Sequence, residues 1–146
     1  QQLLAEKYGI SSTVWSVTSY TELARDAQAT ERFNRLHPTK KPKQSYLEDL
    51  VADIEGPFIS SSDYVRAVSE QISPWIPGGL YALGTDGMGR SETREALRRH
   101  FEVDAESIVI ATLYKLSLLG KLPRKRVDEA IKSFEYDREK IDPYFA

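Results

Sequence analysis

The segment from Leu83 to Asp104, LGTDGMGRSETREALRRHFEVD, constrains the fold more than any other part of the sequence. It joins the end of a predicted strand to a polar turn and then to the start of a helix. Three glycines in the pattern Gly-x-x-Gly-x-Gly allow backbone conformations in which a side chain would clash. Ser91 is predicted to cap the helix that runs to about Phe101. In an α/β fold, a dense polar loop after a strand is a common place for a functional site.

The rest of the chain alternates short apolar or β-branched segments with amphipathic helical patterns. The predicted strands are Ser12–Thr18, Phe58–Ser60 and Leu80–Gly84. Two capping boxes, Ser19 with Glu22 and Ser45 with Glu48, predict the starts of two helices. Two further helices are predicted to begin at single caps, one at Ser61 or Ser62 and one at Asp104. This order predicts an α/β fold with three layers, in which helices flank a mostly parallel sheet. We also expect the C-terminal IDPYFA segment to dock through its aromatic side chains.

Composition limits the class of function. The 146 residues suffice for one domain spanning 1–146, and the net charge of −2 argues against nucleic acid as a partner. The chain has no cysteine, which excludes disulfides, thiolate catalysis and zinc–thiolate sites. No apolar run approaches the ~20 residues of a membrane helix. The N-terminal residues read as the end of a helix without an initiator Met, so we expect a C-terminal fragment of a longer multidomain chain.

Three long blocks carry a family resemblance. They are VWSVTSYTELARDAQATERFNRLHP, then FISSSDYVRAVSEQI, and then DGMGRSETR followed by HFEVD. Together they resemble the C-terminal domain of the homodimeric, thiamin-diphosphate-dependent pyruvate dehydrogenases, the decarboxylating component of the pyruvate dehydrogenase complex. That family typically reads DGFGRSD where this chain has Met88 in place of the aromatic residue. The resemblance covers nearly the whole chain and implies a transketolase C-terminal-domain-like fold that lacks its first strand.

The resemblance also implies a role. It implies a structural and dimer-interface domain of a cytoplasmic, bacterial oxidoreductase that decarboxylates pyruvate and transfers the acetyl group to lipoyl groups. The implied partners are the other domains, the second subunit and the lipoyl acyltransferase component, with neither nucleic acid nor membrane. Thiamin diphosphate and magnesium would be held by the other domains. The resemblance therefore assigns no catalytic, cofactor-binding or metal-binding residue to this chain, and the fragment alone is expected to be inactive.

The polar turn supplies the candidate site residues. The resemblance implies that this turn faces subunit and domain interfaces, so Asp86, Arg90, Ser91 and Arg94 are expected to serve an interface, with Asp86 and Arg90 pairing across it. The alternative is a free-standing α/β module that binds a small anion at the Asp86–Ser91 turn, because a helix N-terminus favours negative charge. The glycine pattern matches neither the dinucleotide fingerprint nor the P-loop.

The remaining polar residues predict structural roles. His37 and His100 are the only histidines, and neither has the spacing of a metal ligand. His37 precedes a proline at a helix end, which favours a surface or capping role. The Ser60–Ser62 run lacks the glycines of a nucleophile elbow and is better explained as a helix cap.

Overall fold

The computed structural model describes residues 1–146 and contains two compact units. One, the terminal unit, comprises residues 1–18 and 87–146. The other, the central unit, comprises residues 19–86. Each unit has a hydrophobic core of its own. No helix is both long and apolar enough to cross a membrane.

The central unit is a small α/β arrangement. Its elements are α2 Tyr20–Leu36, α3 Tyr46–Val51, β1 Phe58–Ser61, α4 Arg66–Glu70, a 3₁₀ turn Ser73–Trp75, and β2 Leu80–Leu83. The two strands are parallel, with Phe58 opposite Leu80 and Ser61 opposite Leu83. The connection between them carries α4, as parallel pairing requires. The α/β fold with a parallel sheet is thereby confirmed.

Two helices of this unit, α2 and α3, begin at the caps that the sequence predicts. The Ser19 side chain accepts a hydrogen bond from the Glu22 amide at the start of α2. At α3 the capping box is complete, because Glu48 also accepts from the Ser45 amide, at 2.8 Å. Behind these caps lies a core of Ala24, Leu47, Val51, Phe58, Ile72 and Ile76.

The terminal unit is helical. Its helices are α1 Gln2–Tyr8, α5 Arg94–His100, α6 Ala105–Leu118 and α7 Arg124–Ser133, and a 3₁₀ turn, Pro143–Phe145, lies near the end. Asp104 caps α6 by accepting from the Ser107 amide at 2.8 Å, as predicted. The helices α1, α6 and α7 bury a core of Leu4, Val109, Leu113, Val127 and Ala130.

Three of the predicted details are wrong. Residues 12–18 form no strand and are exposed, so the sheet has two strands and not three. Because a strand needs a hydrogen-bonded neighbour, β-branched composition alone does not create one. Neither Ser61 nor Ser62 caps α4, whose N-cap is Val65.

The third wrong detail concerns the C-terminal segment, which does not dock through its aromatic rings. Pro143 is buried, whereas Tyr144 is 58% exposed and Phe145 is 78% exposed. The segment contacts Gly87 through the backbone of Pro143.

Candidate functional site

The end of β2 is tied to the segment before α4 by backbone contacts. The Thr85 amide donates to the Tyr64 carbonyl at 2.9 Å, and the Thr85 hydroxyl donates to the Asp63 carbonyl at 2.8 Å. A Cβ at Gly84 would lie 2.6 Å from the Tyr64 carbonyl oxygen and 2.7 Å from the Arg66 nitrogen. Glycine is therefore required there, because the two backbones approach too closely for any side chain.

Asp86 is used inside the central unit. Its carboxylate accepts from the Arg66 backbone amide at 3.3 Å and from the Arg66 guanidinium. Its side chain is only 17% exposed. Arg66 is the first residue of α4, and the N-cap residue Val65 has no polar side chain. Asp86 thus supplies, from twenty residues further along the chain, an acceptor for one of the N-terminal amides of α4, a helix that has no side-chain cap of its own.

An exposed loop, residues 87–93, leads into α5 in the terminal unit. The predicted Ser91 cap is wrong. Thr93 is the N-cap, and its side chain accepts from the Ala96 amide at 3.3 Å. Glu92 also accepts from the Thr93 amide, at 3.2 Å. Both Ser91 and Thr93 are good caps by residue type, so the choice depends on where the loop enters the helix.

The other candidate residues of the loop make no contact of their own. Arg90, Ser91 and Arg94 are exposed and form no hydrogen bond or ion pair within the chain. Asp86 and Arg90 were predicted to serve one interface. Asp86 already has Arg66 as a partner within the chain, whereas Arg90 has none. The loop presents two unpaired guanidinium groups to solvent, an arrangement suited to binding a carboxylate or a carbonyl.

The charge of Arg90 also acts on His100 at the end of α5. Burial lowers the pKa of His100, and the nearby cations Arg90 and Lys140 lower it further, while Glu102 opposes them. The Nε2 atom of His100 is buried without a hydrogen-bond partner. This is the arrangement expected for a neutral ring, because a buried imidazolium would need an acceptor.

Lys140 holds the C-terminal segment on the end of α5. Its ammonium donates to the carbonyls of Arg99 and His100 at 3.1 and 2.5 Å, and to Glu102 at 3.3 Å. The last carbonyls of a helix lack intrahelical partners, so a lysine satisfies them. Sequence reasoning missed this contact because 40 residues separate Lys140 from His100.

Arg99 joins three segments of the terminal unit. It bonds Asp104 at 3.0 Å, Glu106 at 2.5 Å and the Phe134 carbonyl at 3.0 Å. Its guanidinium lies 4.4 Å from the ring centroid of Tyr136. Burial raises the pKa of Tyr136 to about 12, so the phenol stays neutral. Arg99 lies in the last turn of α5, where a cation interacts favourably with the helix dipole, and its contacts add a second structural role.

The side chains that might suggest chemistry have structural partners. His37 bonds the Phe33 carbonyl through Nδ1 at 2.9 Å and stacks on the Phe33 ring, which is the predicted capping role. Ser60 donates to Ser69 at 2.8 Å in a buried pair. No group of three or more His, Cys, Asp or Glu side chains lies together as a metal site would require.

Comparison with known proteins gives consistent matches over the chain. Residues 1–104 match the family described as the transketolase-like TK C-terminal domain. The pyruvate dehydrogenase E1 component of Pseudomonas aeruginosa is 48% identical over 143 residues, and that of Escherichia coli K12 is 45% identical over 146. The corresponding protein of Cupriavidus necator is 46% identical over 141 residues.

The coverage of these matches is unequal. The matches to the Pseudomonas aeruginosa and Cupriavidus necator proteins each cover 97% of this chain, and the match to the Escherichia coli protein covers 99%. Each match covers only 16% of the relative. The chain therefore spans about one sixth of the length of the curated relatives it matches.

Proposed function

Because this chain belongs to the family of transketolase-like C-terminal domains, we propose that it is the structural and dimer-interface domain of a pyruvate dehydrogenase E1 component. One observation carries this proposal: the chain is 45–48% identical to three such components over 97–99% of its length. The proposal treats residues 1–146 as one C-terminal domain of a longer chain.

The exposed loop supports the interface role. Arg90 and Arg94 have no partner within the chain, and residues 87–93 are all exposed. An arginine side chain is well suited to an interface, since its planar fork pairs with carboxylates at low desolvation cost. We assign Arg90, Ser91 and Arg94 to contact with another domain or with the second subunit of a homodimer. Asp86 acts indirectly, because its bond to Arg66 fixes the strand end from which the loop leaves.

The chemistry belongs to the rest of the longer protein. By analogy with the named relatives, that protein is a cytoplasmic oxidoreductase that decarboxylates pyruvate and passes the acetyl group to a lipoyl acyltransferase component. Thiamin diphosphate with magnesium would supply the carbanion chemistry there. The residues of this chain do not fit that group, because no cluster of carboxylates or histidines is present to hold the metal. We therefore assign no catalytic step to the residues of this chain.

The contacts at the start of α5 argue against an anion bound to the N-terminus of that helix, which is the mode of binding that the alternative requires. At the start of α5 the Thr93 and Ala96 amides already donate to Glu92 and Thr93. The Glu92 carboxylate would also repel an arriving anion. Helix α5 has only 7 residues, and a short helix offers a weak dipole.

The test is the Arg90→Ala variant of the full-length protein. Loss of an interfacial charge that leaves a buried partner unpaired costs about 2–5 kcal/mol. We therefore expect weaker dimerisation in sedimentation experiments, with nearly unchanged turnover per assembled dimer. Arg124→Ala is the matched control, because Arg124 is an exposed arginine at the start of α7.

Two results would contradict the proposal. One is a fully assembled dimer of the Arg90→Ala variant with collapsed turnover, which would place Arg90 in the reaction. The other is equal dimerisation of the Arg90→Ala and Arg124→Ala variants, which would remove Arg90 from the interface.

A further inference from the structure

A cavity of about 340 Å³ lies in the central unit, away from the exposed loop in sequence. Its lining comes from α2, from Glu48 of α3, and from the 3₁₀ turn that contains Trp75. The lining residues are Ala27, Thr30, Glu31, Asn34, Glu48, Pro74 and Trp75. The volume lies in the range of small-molecule and side-chain pockets.

The residues from α2 share one face of that helix. Ala27, Thr30, Glu31 and Asn34 are spaced i, i+3, i+4 and i+7. Such a face is normally apolar and packed. Here only Ala27 is buried, at 1% exposure, and the positions beyond it carry polar groups. This face of α2 therefore contributes one buried methyl group and three polar side chains to the lining of the cavity.

The charge of the lining is negative. It contains two carboxylates, Glu31 and Glu48, and no Lys, Arg or His. Glu31 makes no hydrogen bond or ion pair within the chain. One oxygen of Glu48, Oε2, accepts from the Ser45 amide and hydroxyl at 2.8 and 2.7 Å, so the carboxylate is held in place while Oε1 keeps its acceptor capacity. These groups favour a cationic guest.

Trp75 adds an aromatic wall. It is half-buried and packs against the core cluster of the central unit, which fixes its position. A tryptophan ring attracts cations, and a flat guanidinium in particular, because the ring face carries negative charge density. The Asn34 side chain, which also lines the cavity, is held by two hydrogen bonds of 2.9 Å with the backbone of Lys43.

We propose that this cavity binds an arginine side chain presented by a polypeptide partner. The indole of Trp75, two carboxylates and the apolar groups of Ala27 and Pro74 match a guanidinium on an aliphatic stem better than they match a compact, strongly hydrated ammonium. A free amino acid has the same guanidinium, but its own carboxylate would be repelled by Glu31 and Glu48. The peptide-borne side chain is thus the favoured source. This inference is independent of the dimer-interface role.

The experiment is a titration of the 146-residue chain followed by nuclear magnetic resonance. The chain has two tryptophans, so its spectrum contains two indole N–H signals. The probe is N-acetyl-arginine amide, and the neutral citrulline derivative of the same shape is the control ligand. We expect the Trp75 signal to shift with the arginine probe in a saturable manner, while the Trp15 signal stays in place. Free arginine should bind at least about threefold more weakly.

Two variants test whether the carboxylate of Glu31 contributes to binding of the guanidinium. Glu31→Gln should weaken binding by about tenfold, because it removes a charge-assisted bond without changing the shape of the cavity. Glu70→Gln, an exposed carboxylate outside the cavity, should leave binding unchanged. Dispersed amide signals of Glu31→Gln verify that this variant folds.

Three results would overturn the proposal. They are an equal response to the citrulline derivative, unchanged binding by Glu31→Gln, and equal shifts of both indole signals. Tighter binding of free arginine than of the amide would reassign the site to a small metabolite and overturn the polypeptide source.

Discussion

Gly87 lies against the backbone of Pro143, so close that a Cβ on Gly87 would collide with the Pro143 carbonyl and stand 3.1 Å from the Tyr144 Cα. The φ angle of Gly87 is also positive, at 103°. Gly87→Ala should therefore displace the C-terminal turn and strain the backbone. We expect the free energy of unfolding to fall by about 1–3 kcal/mol, measured by urea denaturation.

Gly89→Ala is the matched control for Gly87→Ala. A Cβ at Gly89 would meet nothing within 4 Å, and its φ is not positive. We expect a change within about 0.5 kcal/mol. If both substitutions lowered the free energy of unfolding equally, the effect of Gly87→Ala could not be assigned to the contact with Pro143.

Glu135 offers a stabilising substitution. It sits just after α7 with φ 50°, in a Schellman turn where the Tyr136 amide donates to the Ile131 carbonyl at 3.0 Å. Its side chain makes no bond within the chain. Since a left-handed conformation costs a non-glycine residue about 1 kcal/mol, Glu135→Gly should raise the free energy of unfolding by about 0.5–1 kcal/mol.

The reverse substitution provides the control. Gly120 occupies the equivalent place after α6 with φ 70°, and a Cβ there would meet no atom within 4 Å. Gly120→Ala should lower the free energy of unfolding by about 1 kcal/mol through backbone strain alone. If thermal unfolding shows no gain for Glu135→Gly, the Glu135 side chain stabilises the fold in a way that its contacts do not reveal.

Local sequence rules predicted the helices that are capped from nearby. Ser45 with Glu48, and Asp104 with Ser107, act over three residues, so the sequence contains both partners together. The α/β class followed from the order of the apolar segments. The sequence wrongly predicted a strand at residues 12–18. A β-prone segment becomes a strand only where a neighbouring strand can pair with it, and composition does not reveal that neighbour.

The polar turn was predictable from the sequence, but the partners of its residues were not. The glycines marked the turn, and Gly84 and Gly87 are both required by close backbone approaches. Sequence reasoning could not find that Asp86 serves the start of α4 or that Lys140 serves the end of α5. These contacts join residues 20 and 40 apart, and no local pattern encodes such distances.

His100 predicts how stability depends on pH. Burial together with Arg90 and Lys140 lowers its pKa in the folded chain below the unperturbed 6.5, with Glu102 opposing. The unfolded chain therefore binds more protons as the pH falls through that range. The free energy of unfolding should be highest above about pH 6.5 and should decrease on acidification toward pH 5.5.

The measurement is urea unfolding between about pH 7.5 and pH 5.5, a range above the titration of most carboxylates. His100→Gln should flatten the dependence relative to the unaltered chain. An unchanged slope in His100→Gln would assign the effect to other groups.

The 146-residue chain should be catalytically inactive on its own. It contains no cluster of metal ligands, and its histidines and serines have structural surroundings. We expect no pyruvate-dependent dye reduction with added thiamin diphosphate and magnesium, and no cofactor binding in calorimetry. The full-length protein is the positive control. Turnover by the purified chain above background would contradict the assignment of the chemistry to other domains.

Arg99 should be the most sensitive charged residue of the terminal unit. Its guanidinium bonds Asp104, Glu106 and the Phe134 carbonyl, so it links α5 to α6 and to the end of α7. The side chain is 38% exposed, which means that solvent screens part of the attraction. Arg99→Ala should therefore lower the free energy of unfolding by about 1–2 kcal/mol, a value above that of a typical surface ion pair.

Arg99→Lys separates the charge of Arg99 from its geometry. Lysine keeps the positive charge but loses the planar fork that reaches several acceptors at once, so we expect an intermediate loss of stability. Arg124→Ala, which removes an exposed arginine at the start of α7, should have little effect. Urea denaturation at low and high salt checks the origin of the loss: the ion-pair part of the Arg99→Ala effect should shrink in high salt, while the bond to the Phe134 carbonyl should not. Full stability of Arg99→Ala at low salt would show that these contacts do not hold the three segments together.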